Sequence, residues 1–251
     1  MKIEYVPGGI CIQADLFSQD ISWQQHAQNA MLAIADPPYG KILKNQDWDR
    51  IDAKSLALKL VKMSKRLEAC MASGSHLCLW GGFGTPNERA FYRTILGIED
   101  YSNWNMAEHI TWRKKRAYGT KWRCLAAREE MARFVLGDIK RPACFNPPLS
   151  SERRGYSGFN KNYPAKSEFK RLTMVWDHAS DMTRNKPHEC FKPPELAETQ
   201  IQMCTNPGQL VLDLFAGSAQ VSLSARELGR SFVCVESSEI EFDKIINRLK
   251  N

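Results

Sequence analysis

Hydrophobic positions along the chain fall into two patterns that alternate. Short apolar runs bounded by turn residues predict strands over residues 9–16, 31–36, 76–82, 209–215 and 230–236. Longer stretches in which apolar residues recur every three or four positions predict helices over residues 55–71, 87–96, 192–204, 220–229 and 239–250. We expect Gly74 to end the first of these helices. Alternation at this spacing predicts an α/β fold, in which helices cover both faces of a mainly parallel sheet.

The middle of the chain departs from this alternation. Residues 108–112 and 132–137 predict two further strands, and the segment between them is interpreted as a loop. From residue 138 to about residue 187 the periodicity disappears into a stretch rich in Pro, Gly, Ser and Asn. A stretch of this kind inside a compact domain is typical of a functional loop or a small subdomain. The length predicts one domain over residues 1–251, with residues 138–187 as an insertion.

Composition excludes several classes of protein. Hydrophobic residues make up 43% of the chain and charged residues 25%, which is typical of a globular protein. No apolar run approaches the roughly 20 residues that span a bilayer, so we expect neither a membrane segment nor a signal peptide. The eight cysteines are scattered without a Cys-x-x-Cys pair. They predict reduced thiols in a cytoplasmic protein that binds no metal.

The charge balance favours a polyanionic partner. The chain carries 35 Lys and Arg against 28 Asp and Glu, a net charge of +7. Residues 113–123, RKKRAYGTKWR, contain no acidic residue, and aromatic side chains lie among the basic ones. Such a segment suits phosphate contact and base stacking, although a solvated loop is the alternative. The candidate nucleic-acid contacts here are Arg113, Lys114, Lys115, Arg116, Tyr118, Lys121 and Arg123.

Two short motifs follow predicted strands. The run 31–36 ends in Asp-Pro-Pro-Tyr at residues 36–39, which either stops the strand or holds an acid and an aromatic ring rigidly at its carboxyl end. The strand 209–215 runs into the small-residue turn 216–219, and Glu236 ends the next strand. An acid about 20 residues beyond such a turn is suited to bind ribose hydroxyls. A plain strand-to-helix turn and a nicotinamide site are the alternatives for the second motif.

The order of these motifs resembles one family. Asp-Pro-Pro-Tyr, followed far downstream by HECFKPPEL and then by LDLFAGSA, is similar to the DNA amino-methyltransferases of the permuted (beta) class. In that class the catalytic Asp/Ser-Pro-Pro-Tyr motif precedes the Phe-x-Gly motif that binds S-adenosylmethionine. The resemblance implies a Rossmann-like fold with permuted motif order, S-adenosylmethionine as cofactor and DNA as substrate. Residues 138–187 would then be the target-recognition segment.

The resemblance also implies the roles of individual residues. It assigns catalysis to Asp36, Pro37, Pro38 and Tyr39. It assigns cofactor binding to Asp15 at the adenine, to Glu236 at the ribose, and to Asp213, Phe215, Gly217 and Ser218 around the methionine part. Ala216 and Lys192 are further cofactor-binding residues. Residues 189–191 depart from the family's His-Pro-Thr-Gln-Lys-Pro pattern, which Lys192 and Pro193 match in part.

The chemistry explains why the motif needs these residue types. An exocyclic base amine is a poor nucleophile because its lone pair is delocalised into the ring. Asp36 and the carbonyl of Pro37 would accept hydrogen bonds from the amine and stabilise the charge that develops during transfer. The base must leave the stack to be held in this way, and Tyr39 would provide a surface for it. In the resembling class Asp at the first position is usual for adenine and Ser for cytosine, so we expect N6 of adenine.

Several alternatives stay open at this stage. The enzyme could methylate N4 of cytosine or adenine in RNA, and the chain could be an inactive nucleic-acid-binding subunit. Further phosphate contacts are expected from Arg153, Arg154, Lys161 and Lys170. The sequence distinguishes neither a monomer from a homodimer nor a restriction-modification role from a phage or housekeeping one.

Overall fold

A nine-stranded sheet forms the centre of the computed structural model, which describes residues 1–39, 51–82, 87–119, 121–122, 124–153, 168–179 and 191–250. Within these residues its strands are β1 (Lys2–Val6), β2 (Gly9–Gln13), β3 (Ala30–Ala35), β4 (Met71–Gly81), β5 (Trp104–Tyr118), β6 (Ala126–Leu136), β9 (Val175–Trp176), β10 (Leu210–Leu214) and β11 (Ser231–Glu236). Their order across the sheet is β1-β2-β11-β10-β3-β4-β6-β5-β9. A separate antiparallel pair consists of β7 (Leu149–Arg153) and β8 (Phe169–Arg171).

The central strands run parallel, as the alternation predicts. The five strands from β2 through β11, β10 and β3 to β4 pair in parallel, whereas β1 and β6 pair antiparallel with their neighbours β2 and β4. Residues 32–35 of β3 are all at most 2% exposed, because helices cover both faces of the sheet there. This confirms the prediction of a mainly parallel α/β sheet.

Helices are divided between the two faces. The first face packs against α1 (Ala53–Leu67) and α2 (Asn87–Tyr101). The second packs against α3 (Pro194–Cys204), α4 (Gln220–Glu227) and α5 (Glu239–Lys250). The start of α1 is fixed by Asp52, whose side chain accepts hydrogen bonds from the backbone of Lys54 and Ser55. A 3₁₀ helix at Ser22–His26 and strand β1 were not predicted.

Gly74 does not end the first helix, so that prediction is wrong. The helix α1 ends at Leu67, and Gly74 lies within β4 with a φ of +73°. A Cβ at this position would come within 2.6 Å of the backbone nitrogen of Ala143, which donates to the Gly74 carbonyl. Glycine is therefore needed here for a close approach of the loop after β6.

The basic segment is mostly strand, which corrects its interpretation as a loop. Strand β5 continues to Tyr118, and Tyr118 pairs with Ala126 of β6. Residues 119–125 form the connection between the two strands, with residues 120 and 123 outside the described part. Arg113 pairs with Arg128 before this point, with an irregular register in between, so backbone pairing continues beyond the buried part of the sheet.

Within the described ranges, no helix is long and apolar enough to cross a membrane. The same ranges hold no group of three His, Cys, Asp or Glu side chains arranged to bind a metal ion.

A buried histidine makes the stability of the fold depend on pH. His76 is fully buried; its Nε2 lies 2.6 Å from the carbonyl oxygen of Cys144 and its Nδ1 lies 3.0 Å from Arg133. These partners require a neutral ring that donates from Nε2 and accepts at Nδ1. Burial lowers the pKa of His76 from 6.5 to about 4.

We expect this histidine to weaken the fold in acid. Between pH 6.5 and about 4 the unfolded chain binds a proton at His76 and the folded chain does not, so the contribution of His76 to the free energy of unfolding falls as the pH falls. The loss amounts to about 3 kcal/mol. Urea unfolding of His76→Gln at pH 7 and pH 4.5 should show a smaller decrease than the native protein. An equal decrease in both proteins would contradict the assignment.

Candidate active site

The adjacent parallel strands β3, β10 and β11 end side by side. The two sequence motifs lie directly after strands of this group. The register pairs Leu214 of β10 with Ala35 of β3 and with Val235 of β11. Asp36 and Phe215 are the next residues of their strands, so the two motifs leave neighbouring strands at one edge of the sheet. Strand β3 connects outward to β4, and β10 connects in the opposite direction to β11. Such a switch point is where open α/β sheets bind ligands.

The turn after β10 is tightly wound. Phe215, Gly217 and Ala219 have φ values of 58°, 50° and 56°. The backbone of Ala216 donates to the carbonyl of Val235 at 3.1 Å, and this bond joins the turn to β11. A turn of small residues that opens a helix leaves its amides able to face a ligand.

Asp213 lies behind this turn and is 3% exposed. Its carboxylate accepts hydrogen bonds from the backbone nitrogen and the hydroxyl of Ser222, at 3.0 and 2.7 Å. Burial raises the pKa of Asp213 to about 7, although the bonds to Ser222 oppose the shift. The structure therefore shows Asp213 holding the start of α4, and its direct contact with a cofactor stays a prediction.

Glu236 is oriented by two backbone amides. Its Oε2 accepts from Gly217 at 3.0 Å and its Oε1 accepts from Ser238 at 2.9 Å. Each carboxylate oxygen retains a further lone pair for a ligand hydroxyl. A cavity of about 320 Å³ adjoins this position and is lined by Met1, Gln13, Ala14, Asp15, Ser18, Asp20 and Ser237. Asp15 lies in the wall of this cavity, and its contact with the adenine of a cofactor stays a prediction.

The Asp-Pro-Pro-Tyr segment is held by hydrogen bonds and by packing. The Tyr39 hydroxyl donates to Asp36 Oδ1 at 2.7 Å. Gly82, directly after β4, lies against the Tyr39 ring, and a Cβ there would be 2.4 Å from the ring. Pro37 is buried and Pro38 is half-buried. The acid and the ring are thus fixed relative to each other at the end of β3.

Lys192 contacts the Asp-Pro-Pro-Tyr segment. Its amine contacts Asp36 Oδ2, lies 3.0 Å from the Tyr39 hydroxyl, and lies 5.1 Å from the centre of the Trp80 ring. The resemblance assigned this residue to the cofactor, and the structure places its amine on Asp36. Contact with the cofactor stays a prediction.

Glu129 completes this cluster, and sequence analysis missed it. It lies on β6 with a side chain 10% exposed, between Lys192 at 3.3 Å and Lys114 at 2.5 Å. The available signal was a pair of acids, residues 129–130, at the start of an apolar strand. Burial opposes ionisation of Glu129, but the attraction of Lys192 and then of Lys114 outweighs it, so the pKa of Glu129 lies below its ordinary value.

The candidate DNA-contacting residues differ in their exposure and in their ion-pair partners. Lys114 points inward to Glu129, with 16% of its side chain exposed. Arg113 pairs with Asp177 at 2.6 Å and Lys170 with Glu152 at 2.8 Å, both on the surface. Lys115, Arg116, Lys121 and Arg153 are exposed. Tyr118 is described by its backbone in β5, and Arg123, Arg154 and Lys161 lie outside the described residues.

Comparison with known families identifies the family to which this chain belongs. The model of a DNA methylase family that comprises N6 and N4 methyltransferases matches residues 30–248. The chain belongs to this family. It is therefore a DNA methylase whose family includes both N6 and N4 methyltransferases, and the match spans Asp36 and the turn after β10.

Individual proteins with similar sequences are also methyltransferases. The methylase is 27% identical over 232 residues to the type II methyltransferase M1.MboII of Moraxella bovis, covering 84% of this chain and 85% of that protein. It is 26% identical over 243 residues to M.BamHI of Bacillus amyloliquefaciens, covering 89% of this chain and 53% of that protein. These relatives are type II methyltransferases by name.

Solved structures share the fold. The complex of M1.HpyAVI with S-adenosylmethionine aligns with a TM-score of 0.63 at 19% identity, covering 95% of this chain and 98% of that one. The PvuII DNA methyltransferase, named as specific for cytosine N4, aligns with a TM-score of 0.66 at 14% identity, covering 100% and 97%. These likenesses confirm the methyltransferase fold expected from the sequence.

Proposed function

We propose that this DNA methylase transfers a methyl group from S-adenosylmethionine to N6 of adenine in DNA. The observation that carries the proposal is the position of Asp36 beside Phe215, at the ends of the adjacent strands β3 and β10. This arrangement brings the acceptor for a base amine next to the turn that suits the cofactor. A transfer reaction needs this proximity because it converts an encounter of two ligands into a step within one site.

Cofactor binding is assigned to the residues around the turn. Residues 215–218 would surround the methionine part, Glu236 would bind the ribose hydroxyls, and Asp15 would bind the adenine. Asp213 supports the turn through Ser222. When bound, S-adenosylmethionine supplies a methyl group on a positively charged sulfur. The structure of M1.HpyAVI in complex with the same molecule supports this choice of cofactor.

The residues of the catalytic segment act on the base amine. Asp36 and the carbonyl of Pro37 accept its two hydrogens, which stabilises the positive charge that grows on the nitrogen. The Asp36 carboxylate is also suited to hold the proton that the nitrogen loses after transfer. Tyr39 would stack on the base, and Gly82 keeps its ring in place. Most of the rate enhancement would come from this fixed alignment.

The choice of adenine rests on Asp36. Asp at this position is usual for adenine in the resembling class, whereas Ser is usual for cytosine. We propose to test it by incubating unmethylated genomic DNA with the protein and S-adenosylmethionine carrying a deuterated methyl group. Nucleoside mass spectrometry should then detect deuterated N6-methyladenine. Deuterated N4-methylcytosine would preserve DNA methylation and overturn the choice of base.

The tip of the β5–β6 hairpin is the proposed DNA-contacting surface. Trp122 is 82% exposed there, and the Lys121 amine lies 5.3 Å from the centre of its ring. Lys115 and Arg116 are exposed on the preceding strand. A basic hairpin with an exposed aromatic ring combines phosphate contact with a surface for stacking.

We expect two separable effects from changes to this hairpin. Trp122→Ala should weaken binding of a labelled duplex about tenfold, because stacking on one base contributes roughly 1–3 kcal/mol. Removing both charges at Lys115 and Arg116 should reduce the slope of log affinity against log salt by about two. Fluorescence anisotropy over a salt series measures both. Lys62→Ala, an exposed charge on α1, serves as control, and an unchanged slope in the double variant would contradict the assignment.

A further inference from the structure

Glu129 bridges two lysines inside the active site. One carboxylate oxygen accepts from Lys114 and the other lies 3.3 Å from Lys192. Lys114 also stacks over Trp112, with its amine 4.9 Å from the ring centre. Together with Asp36, the cluster holds two acids and two lysines, so its charges balance. A balanced cluster is the form in which buried charges persist.

Within the described part of the chain, the Lys192 amine has three partners for its three protons. These are Asp36 Oδ2, the Tyr39 hydroxyl and Glu129 Oε2. Burial opposes the charge on Lys192, but the attraction of Asp36 and then of Glu129 outweighs it, so its pKa lies above the ordinary value. The lysine is therefore charged at neutral pH and divided between two acids on strands β3 and β6.

We propose that Glu129 is a positioning residue for methyl transfer, because sharing Lys192 with Asp36 keeps the Asp36 carboxylate able to accept the substrate amine. This inference rests on the proposed function. Glu129 touches no substrate atom in this account. It acts through Lys192, which can shift its hydrogen bond from Asp36 to Glu129 as the base amine arrives.

The consequence of losing the Glu129 charge follows from Coulomb's law. Among the residues that the structure describes, Asp36 would then be the one acid in contact with Lys192, and repulsion from Lys114 would press the amine further toward Asp36. A carboxylate held by an undivided ammonium group is a poorer acceptor for a second donor. Lys192 would also have no acid to move to, so releasing Asp36 would leave a buried cation unpaired.

A neighbouring acid provides a matched control. Glu130 follows Glu129 on β6 but points to the opposite face of the strand, and it is 2% exposed. It accepts from the Thr111 hydroxyl at 2.8 Å and pairs with His109 at 3.1 Å. Glu130→Gln therefore removes an equally buried charge from the same strand without touching Lys192. Thermal melts of both variants show how much each destabilises the fold.

Single-turnover methylation at saturating cofactor and DNA tests the kinetic part. Glu129→Gln should lower the rate about 10- to 100-fold, while the cofactor dissociation constant changes less than about threefold. Glu130→Gln should keep the rate within about threefold of the native value. A merely structural role would lower both rates alike, or raise both dissociation constants, and would overturn the inference.

Amine labelling tests the contact without any enzymatic activity. Lys192 can be pulse-labelled with acetic anhydride over a pH series, and its labelling can be quantified by peptide mass spectrometry. The pH range in which Lys192 reacts should lie about one unit lower in Glu129→Gln than in the native protein. Glu130→Gln should leave that range unchanged. An unshifted range in Glu129→Gln overturns the inference. If the native protein methylates no DNA, the proposed function fails, and the labelling still decides whether Glu129 holds Lys192.

Discussion

Asp36→Ala is expected to reduce the rate of methyl transfer on the order of 10³-fold, because it removes the acceptor that faces the developing positive charge. The same change removes one of the two carboxylates that Lys192 and the Tyr39 hydroxyl both contact, and Glu129 remains. Residues 215–218 and Glu236 are untouched, so the affinity for S-adenosylmethionine should stay within a few-fold of the native value. Single-turnover kinetics and calorimetry measure the two quantities separately.

Asp36→Asn is expected to have an intermediate effect on the rate of methyl transfer. Asparagine keeps the size of the side chain and one acceptor oxygen but loses the charge that balances Lys192. We expect its rate to lie between that of the native protein and that of Asp36→Ala. A native rate in Asp36→Ala would show that another group accepts the base amine, and it would remove Asp36 from catalysis.

Glu236→Ala is expected to raise the dissociation constant for S-adenosylmethionine about 100-fold. The change removes the proposed acceptor for the ribose hydroxyls, and hydrogen bonds to a charged group contribute roughly 1.5–3 kcal/mol. It also releases the amides of Gly217 and Ser238, so the turn that faces the cofactor loosens. Isothermal titration calorimetry measures the affinity directly.

Glu239→Ala provides the matched control for this change. Glu239 lies in the first turn of α5, three residues beyond Glu236, and its side chain is exposed. Glu239→Ala removes the same charge from nearly the same place. A loss of affinity in both Glu236→Ala and Glu239→Ala would therefore indicate a general electrostatic effect. Equal affinities in the native protein and Glu236→Ala would contradict the assignment of the ribose site.

The sequence predicted the central part of the fold well for a physical reason. Strands such as β3 and β10 are buried on both faces, so they appear as continuous apolar runs that end at polar motifs. The hairpin was harder to predict, because residues 113–118, the first four of them charged, continue strand β5 beyond the core, where no apolar alternation marks them. Gly74 was misassigned because a positive φ serves a helix end and a close contact within a strand equally well.

The residues of the candidate site also differ in how well the sequence predicts their positions. Asp36 and the turn at 215–218 belong to contiguous motifs, so their placement at one edge of the sheet follows from local sequence and strand order. The cluster of Glu129, Lys114 and Lys192 joins strands β5 and β6 to the segment before α3. No local pattern marks such a contact, since it depends on the pairing of distant strands.

The most direct test of the account is sequencing of modified bases in DNA from cells that express the protein. The host should lack DNA methylation of its own, and Asp36→Ala should be expressed in parallel. We predict N6-methyladenine at one recurring short sequence with the native protein and none with Asp36→Ala. Unmodified DNA in both strains, or modification that persists in Asp36→Ala, would contradict adenine methylation by this site.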